Sequence, residues 1–184
     1  IAGRIFGERP RRYDWVLAVV AMGGVAIVMF GSTGVQGWSL SGDLLSIATV
    51  VAWTLYFVFS KLSTRKIESS QYTGATALIC ALFATPFALA SGQLFNMPSG
   101  NAWIWLFILS IGPGFTSHML MNWALAHIPV WFGSTLTLAI PVTATVMAWV
   151  FLGEDVVALQ FLGMGIVLFA LGFIVIGQSN TARR

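Results

Sequence analysis

Apolar residues fall into six long runs, at about residues 15–32, 43–61, 72–91, 103–126, 130–152 and 156–177. Between several of them lie stretches of Gly, Ser, Asn and Pro, such as STGVQGWSLSG (32–42) and SGQLFNMPSGN (91–101), the residues of turns. Each run is close to the ~20 residues an apolar helix needs to cross hydrocarbon. In lipid each run must be helical, because an open strand would leave its backbone groups unpaired. The pattern therefore predicts an all-α, polytopic membrane helix bundle of six spans. The turn between the fourth and fifth runs, HIP at 127–129, is short enough to force an antiparallel hairpin.

Composition agrees with this reading. Only 8% of residues are charged and 58% are hydrophobic, with a mean hydropathy of +0.87, whereas a soluble domain carries about a quarter charged residues. From Ser69 to Gly153 there is no Asp, Glu, Lys or Arg. A soluble fold would have to dress its surface with polar groups over that stretch. The net charge of +3 does not imply nucleic acid, because the basic residues sit in short clusters between apolar runs. The single cysteine, Cys80, lies inside an apolar run and has no intramolecular disulfide partner.

Those basic clusters orient the spans. Arg4, Arg9, Arg11 and Arg12 precede the first span, Lys61, Arg65 and Lys66 follow the second, and Arg183 and Arg184 follow the sixth. With six spans all of them lie on one side, which the positive-inside rule makes the cytoplasm. The expectation is a multi-pass protein of the cytoplasmic membrane with a cytoplasmic C-terminus. The chain opens on Ile1 and charged residues, with neither a signal peptide nor a complete span in IAGRIFGERPRR. It reads as a piece whose upstream part lies elsewhere.

The opening FGERPRRYDWVLAVVAMGGVAIVMFG is echoed by FLGEDVVALQFLGMGIVLFALGFIVIG near the end. A shift of 146 residues aligns Gly7 with Gly153, Glu8 with Glu154 and Gly31 with Gly177, without a gap. The first Gly-Glu turn is followed by arginines and the second by Asp155, so the same unit is predicted in opposite orientations. Inverted repeats of this kind belong to secondary transporters, whose sites lie at the midplane between the halves.

The stretches GDLLSIATVVAWTLYFVFSK (42–61), MNWALAHIP (121–129) and LAIPVTATVMAWVFLGE (138–154), the last running into LQFLGMGIVLFALGFIVIG (159–177), carry a family likeness. The chain resembles the EamA-type permeases of the drug/metabolite transporter superfamily. That resemblance implies ten spans built as two inverted five-span repeats. Residues 43–177 would then be the second repeat, residues 1–32 the tail of the first, and residues 178–184 a cytoplasmic tail.

Candidate chemistry lies within the spans. Ser46, Thr49, Trp53, Tyr56 and Ser60 recur at helical spacing on one face of the second span. Thr49, Trp53 and Tyr56 are substrate-binding candidates, since an indole offers a stacking surface and one donor. Ser46 and Ser60, near the ends, are expected to pack against a neighbour and bond their own helix's carbonyls. In the fourth span, Gly112, Pro113 and Gly114 predict a hinge, because proline removes a backbone donor and crowds the preceding turn. Pro141 predicts a second hinge in the fifth span, freeing the carbonyl of Thr137. Thr116, His118 and Asn122 are polar at membrane depth and join the binding set, as does Thr137. A histidine that stays neutral and bonds a backbone carbonyl is the competing reading of His118. The row Thr73, Ala77, Ala81 and Thr85 predicts a close helix contact. Glu8 and Glu154 are expected to be structural, each capping the helix that follows its turn.

The function these residues predict is secondary transport or export of a small metabolite or drug-like molecule, by alternating access. A passive channel or a non-transporting partner subunit is the alternative. An intramembrane enzyme lacks a nucleophile–base pair or metal set: there is no HExxH, His127 sits in a turn, and Ser117 and His118 are adjacent positions that point apart. No GxxxxGK[ST] loop is present to bind ATP. No cofactor and no metal are expected. The expected partners are a small-molecule substrate and the lipid bilayer, with a homodimer and proton coupling left open.

Overall fold

The computed structural model describes residues 2–31, 39–92 and 97–182. The parts of the two Gly/Ser-rich connections at 32–38 and 93–96, and the terminal Arg183 and Arg184, lie outside the described residues. All regular elements among the described residues are helical. A short helix α1 (Ala2–Phe6) is followed by α2 (Arg12–Gly31), α3 (Leu40–Ser63), α4 (Ser69–Ala90), α5 (Gly100–His127), α6 (Val130–Leu152) and α7 (Ala158–Ala182). Six of these, α2 to α7, are long and apolar enough to cross a membrane. Each matches one predicted run to within a few residues. The sixth goes further: α7 continues to Ala182, so most of the expected tail at 178–184 is helix.

The chain forms two compact units. Unit one comprises residues 1–51 and 129–184, and unit two residues 52–128, the boundary falling inside α3.

Unit one is organised around α2 and α7. Gly24 and Gly163 allow their backbones to touch: a Cβ on Gly163 would lie 2.8 Å from the carbonyl of Gly24, and one on Gly24 would lie 2.9 Å from that of Gly163. Close approach at small residues is how helices associate where lipid removes the hydrophobic drive. Gly31, at the end of α2, abuts Gln160 at the start of α7, while Arg11 at the start of α2 donates to the carbonyl of Gly177 at 2.6 Å. The two helices therefore run antiparallel. Ala21, Val28, Val142, Val167, Ala170 and Ile174 form the buried core between α2, α6 and α7.

The turns before α2 and α7 share one backbone conformation. Gly7 and Gly153 both adopt φ of +69°, the left-handed conformation that favours glycine after a helix. Glu8 reaches a helix other than the one that follows it. Its Oε2 accepts the N–H of Val130 at 2.7 Å, closing the start of α6, whose preceding Pro129 has no N–H to offer. The turn into α2 is held by Asp14, whose carboxylate accepts the Arg11 N–H at 2.8 Å. Glu154 is exposed, and Gln160 takes the corresponding place before α7, accepting the Val157 N–H at 3.0 Å. Asp14 and Gln160 are themselves 146 positions apart, the spacing of the repeat.

The proline in α6 is accommodated differently from the prediction. Residues Thr137–Ala139 tighten into a 3-10 turn, and Ile140 N–H bonds the Thr137 carbonyl. Pro141 sits in the first turn of the renewed helix Ile140–Met147, where its missing N–H costs nothing. The Thr137 carbonyl is not freed.

Candidate functional site

The candidate site is built in unit two on the second half of α3, α4 and α5. Positions 53, 56, 57 and 60 share one face of α3 because they repeat every three or four residues. Trp53 and Tyr56 stack, with ring centroids 5.4 Å apart and planes at 26°. From α5, His118 meets both rings edge-on, at 6.0 Å and 85° to Trp53 and at 6.4 Å and 70° to Tyr56. Tyr72 of α4 approaches Tyr56 from the other side, at 6.1 Å. Trp53 remains 41% exposed.

His118 is oriented by its own helix. Its Nδ1 lies 2.7 Å from the Gly114 carbonyl. A carbonyl only accepts, so Nδ1 carries the hydrogen and Nε2 is the ring nitrogen left to other partners. The same bond presents Nε2 in a fixed direction.

One helical turn on, Asn122 is wholly buried. Its Oδ1 accepts from Tyr56 Oη at 2.9 Å and from Ser60 Oγ at 2.6 Å, and its Nδ2 donates to Thr73 Oγ1 at 2.9 Å. Thr73 passes its own hydrogen to the Ser69 carbonyl at 2.7 Å. Three helices are tied by one amide. Asn122 fixes Tyr56, and through it the ring cluster.

This network was only partly legible. Ser60 and Thr73 were read as packing residues, yet Ser60 bonds across to Asn122. Of the fourfold row on α4 only Thr73 is buried; Ala77, Ala81 and Thr85 are exposed, and Thr85 bonds the Ala81 carbonyl. Ser60 lies one turn from Tyr56, and that spacing was the available signal.

The middle of α5 departs from α-helical geometry as its Gly-Pro-Gly sequence predicts. Ser110–Thr116 form a π-helical turn, and the Ser117 N–H reaches back five residues to the Gly112 carbonyl. Pro113 supplies no N–H, and widening the turn re-pairs the neighbouring groups. Thr116 donates to the Ile111 carbonyl at 2.7 Å and Ser117 to that of Pro113. A Cβ on Gly114 would stand 3.0 Å from the Leu109 carbonyl, which is why a residue without one sits there.

The remaining candidates are not gathered by this cluster. Thr116 is exposed on α5, its hydroxyl turned to its own helix. Thr49 and Thr137 belong to unit one and bond the carbonyls of Leu45 and Ser134, at 2.9 and 2.7 Å. At the end of α3, buried Lys61 donates to the Ile128 carbonyl at 2.6 Å, a cation set against the last carbonyls of α5.

Six apolar spans and a polar–aromatic cluster held inside them define a multi-pass helical membrane protein. The chain belongs to the EamA-like transporter family, whose model matches residues 40–176. It is 25% identical over 156 residues to the uncharacterized transporter YetK of Bacillus subtilis (strain 168), covering 83% of this chain and 47% of that protein. It is 24% identical over 175 residues to the uncharacterized transporter YwfM of the same organism, covering 95% and 58%. To the uncharacterized inner membrane transporter YedA of Escherichia coli (strain K12) it is 20% identical over 177 residues, covering 95% and 56%. The chain spans about half the length of these curated relatives. No solved structure gave a significant match.

Proposed function

We propose that the whole protein is a secondary transporter that exports a small aromatic or amphipathic molecule across the cytoplasmic membrane by alternating access. The observation that carries this reading is the Trp53–Tyr56–His118 cluster, beside a π-helical turn, between apolar spans. A stacking face and a single directed acceptor suit a flat ligand bearing a donor. In this reading Trp53, Tyr56 and His118 contact substrate, with Thr49, Thr116 and Thr137 lining the path. Asn122 is assigned to positioning, Gly112, Pro113 and Gly114 form one hinge, and Pro141 marks another.

The inverted repeat is part of the same proposal. It is supported by the equal φ at Gly7 and Gly153 and by the matched turn bonds of Asp14 and Gln160. In the same proposal the basic residues put the α3–α4 turn and the C-terminus in the cytoplasm, and the repeats rock about the site. Coupling to protons through His118, and a homodimer, complete the working scheme.

Counterflow in proteoliposomes tests the function with a labelled aromatic amine and a labelled aromatic amino acid. A carrier gives saturable exchange that falls when Trp53 becomes Ala. Flux without saturation identifies a channel, and no flux of either compound opposes the assigned substrate class.

A further inference from the structure

The turn joining α3 to α4 carries Arg65 and Lys66, and beside it the last turns of α5 present Met119, Leu120, Trp123 and His127. These residues wall a groove of about 730 Å³. Its place is set by the span ends: α3 stops at Ser63, α4 begins at Ser69 and α5 ends at His127. The groove therefore lies where hydrocarbon gives way to headgroups.

Its two walls differ in chemistry. Arg65 and Lys66 bring two positive charges, and His127 adds a ring whose Nδ1 donates to the Trp123 carbonyl at 2.8 Å, leaving Nε2 turned away from the helix. Glu68 is the opposing acid, and it is engaged by the first turn of α4 through a reciprocal cap with Gln71. On the other wall Met119 and Leu120 continue the apolar surface of the span. Trp123, 57% exposed and 4.7 Å from the His127 ring, stands between the two, as amphipathic rings do at membrane interfaces.

The geometry points to a binding site for an acidic phospholipid, with its phosphodiester between Arg65 and Lys66 and one acyl chain along Met119, Leu120 and Trp123. Charge complementarity selects an anionic head, and the apolar wall selects a chain over a soluble phosphate. Basic residues near a bilayer surface each contribute about a fivefold preference for anionic lipid, and here two act on one headgroup.

Trp123 reports the test. The whole protein is placed in bilayers of phosphatidylcholine containing increasing fractions of brominated phosphatidylglycerol or brominated phosphatidylcholine. The Trp123 signal is isolated by subtracting the Trp123→Phe protein. Quenching at a severalfold lower fraction of the acidic lipid is expected, with the difference erased in Arg65→Gln/Lys66→Gln and kept in Arg9→Gln/Arg12→Gln. Equal quenching by both lipids, quenching by neither, or a preference surviving Arg65→Gln/Lys66→Gln overturns the site. Competition by millimolar glycerol phosphate would show that the headgroup alone is bound, and overturns the phospholipid assignment.

Discussion

Glu8 and Val130, 122 positions apart, are joined by a hydrogen bond of 2.7 Å from the backbone N–H to the carboxylate. The start of α6 is thus capped by a residue from before α2 and not by its own neighbours. Glu8→Ala is expected to lower stability by about 1 kcal/mol, the usual worth of a helix N-cap. Glu8→Gln keeps an acceptor oxygen and is expected to lose less. Thermal unfolding in mild detergent compares the two, and equal losses would count against the cap.

Asn122 satisfies Tyr56, Ser60 and Thr73 at once. Asn122→Ala leaves buried Ser60 and Thr73 and half-buried Tyr56 to find other partners and is expected to cost about 1–3 kcal/mol. Ser60→Ala should cost less, because interhelical hydrogen bonds in membranes average about 0.6 kcal/mol. A double-mutant cycle between positions 60 and 122 is expected to show coupling; strict additivity would separate them.

The Gly24–Gly163 contact predicts a sharp positional contrast. A Cβ at 163 meets the Gly24 carbonyl and the Val28 N–H, each at 2.8 Å, whereas one at Gly165 meets nothing within 4 Å. Gly163→Ala is expected to destabilise by about 1–3 kcal/mol, as overpacking does. Gly165→Ala should be neutral or slightly stabilising. Comparable melting temperatures for the two variants would contradict the contact.

His118 and Trp53 separate recognition from coupling. Trp53→Ala is expected to raise the KM of an aromatic substrate about tenfold, in line with about 1–1.5 kcal/mol for an aromatic pair. His118→Gln should flatten the dependence of exchange on pH while leaving Trp53-dependent affinity in place. A pH profile unchanged in His118→Gln would remove the proton from the scheme.

Orientation is open to a chemical test at Met97, which is 79% exposed in the loop between α4 and α5. In a Cys80→Ser background, Met97→Cys is expected to react with an impermeant maleimide added from outside the cell. Labelling only from the cytoplasmic side would reverse the assigned topology.

The spans themselves were legible, because crossing lipid imposes one requirement, about twenty apolar residues in a helix, that the sequence writes out locally. The irregular turn in α5 was legible for the same local reason: Gly112, Pro113 and Gly114 are consecutive. The bond from Val130 to Glu8 was not legible, because the two residues are separated by most of the chain. The cross-helix bond of Ser60 was hidden for a different reason. A small hydroxyl that bonds its own helix and one that bonds a neighbour look identical in sequence. Only Asn122, brought between α3 and α4 by the folding of α5, tells them apart. Thr137 shows the converse: a proline predicts a broken hydrogen bond, but a local 3-10 turn repairs it.

The pairing of α2 with α7 has a consequence for how the protein is made. Arg11 and the Gly177 carbonyl are 166 residues apart, and translation at about 5–20 residues per second separates their synthesis by roughly ten to thirty seconds. During that time the glycine notch of α2 waits for a partner that is not yet synthesised. A chaperone of the insertion machinery, or a slowly exchanging neighbour helix, has that interval in which to hold it, so slowing elongation in the distal half of the message should expose α2 to quality-control proteolysis more than any other span.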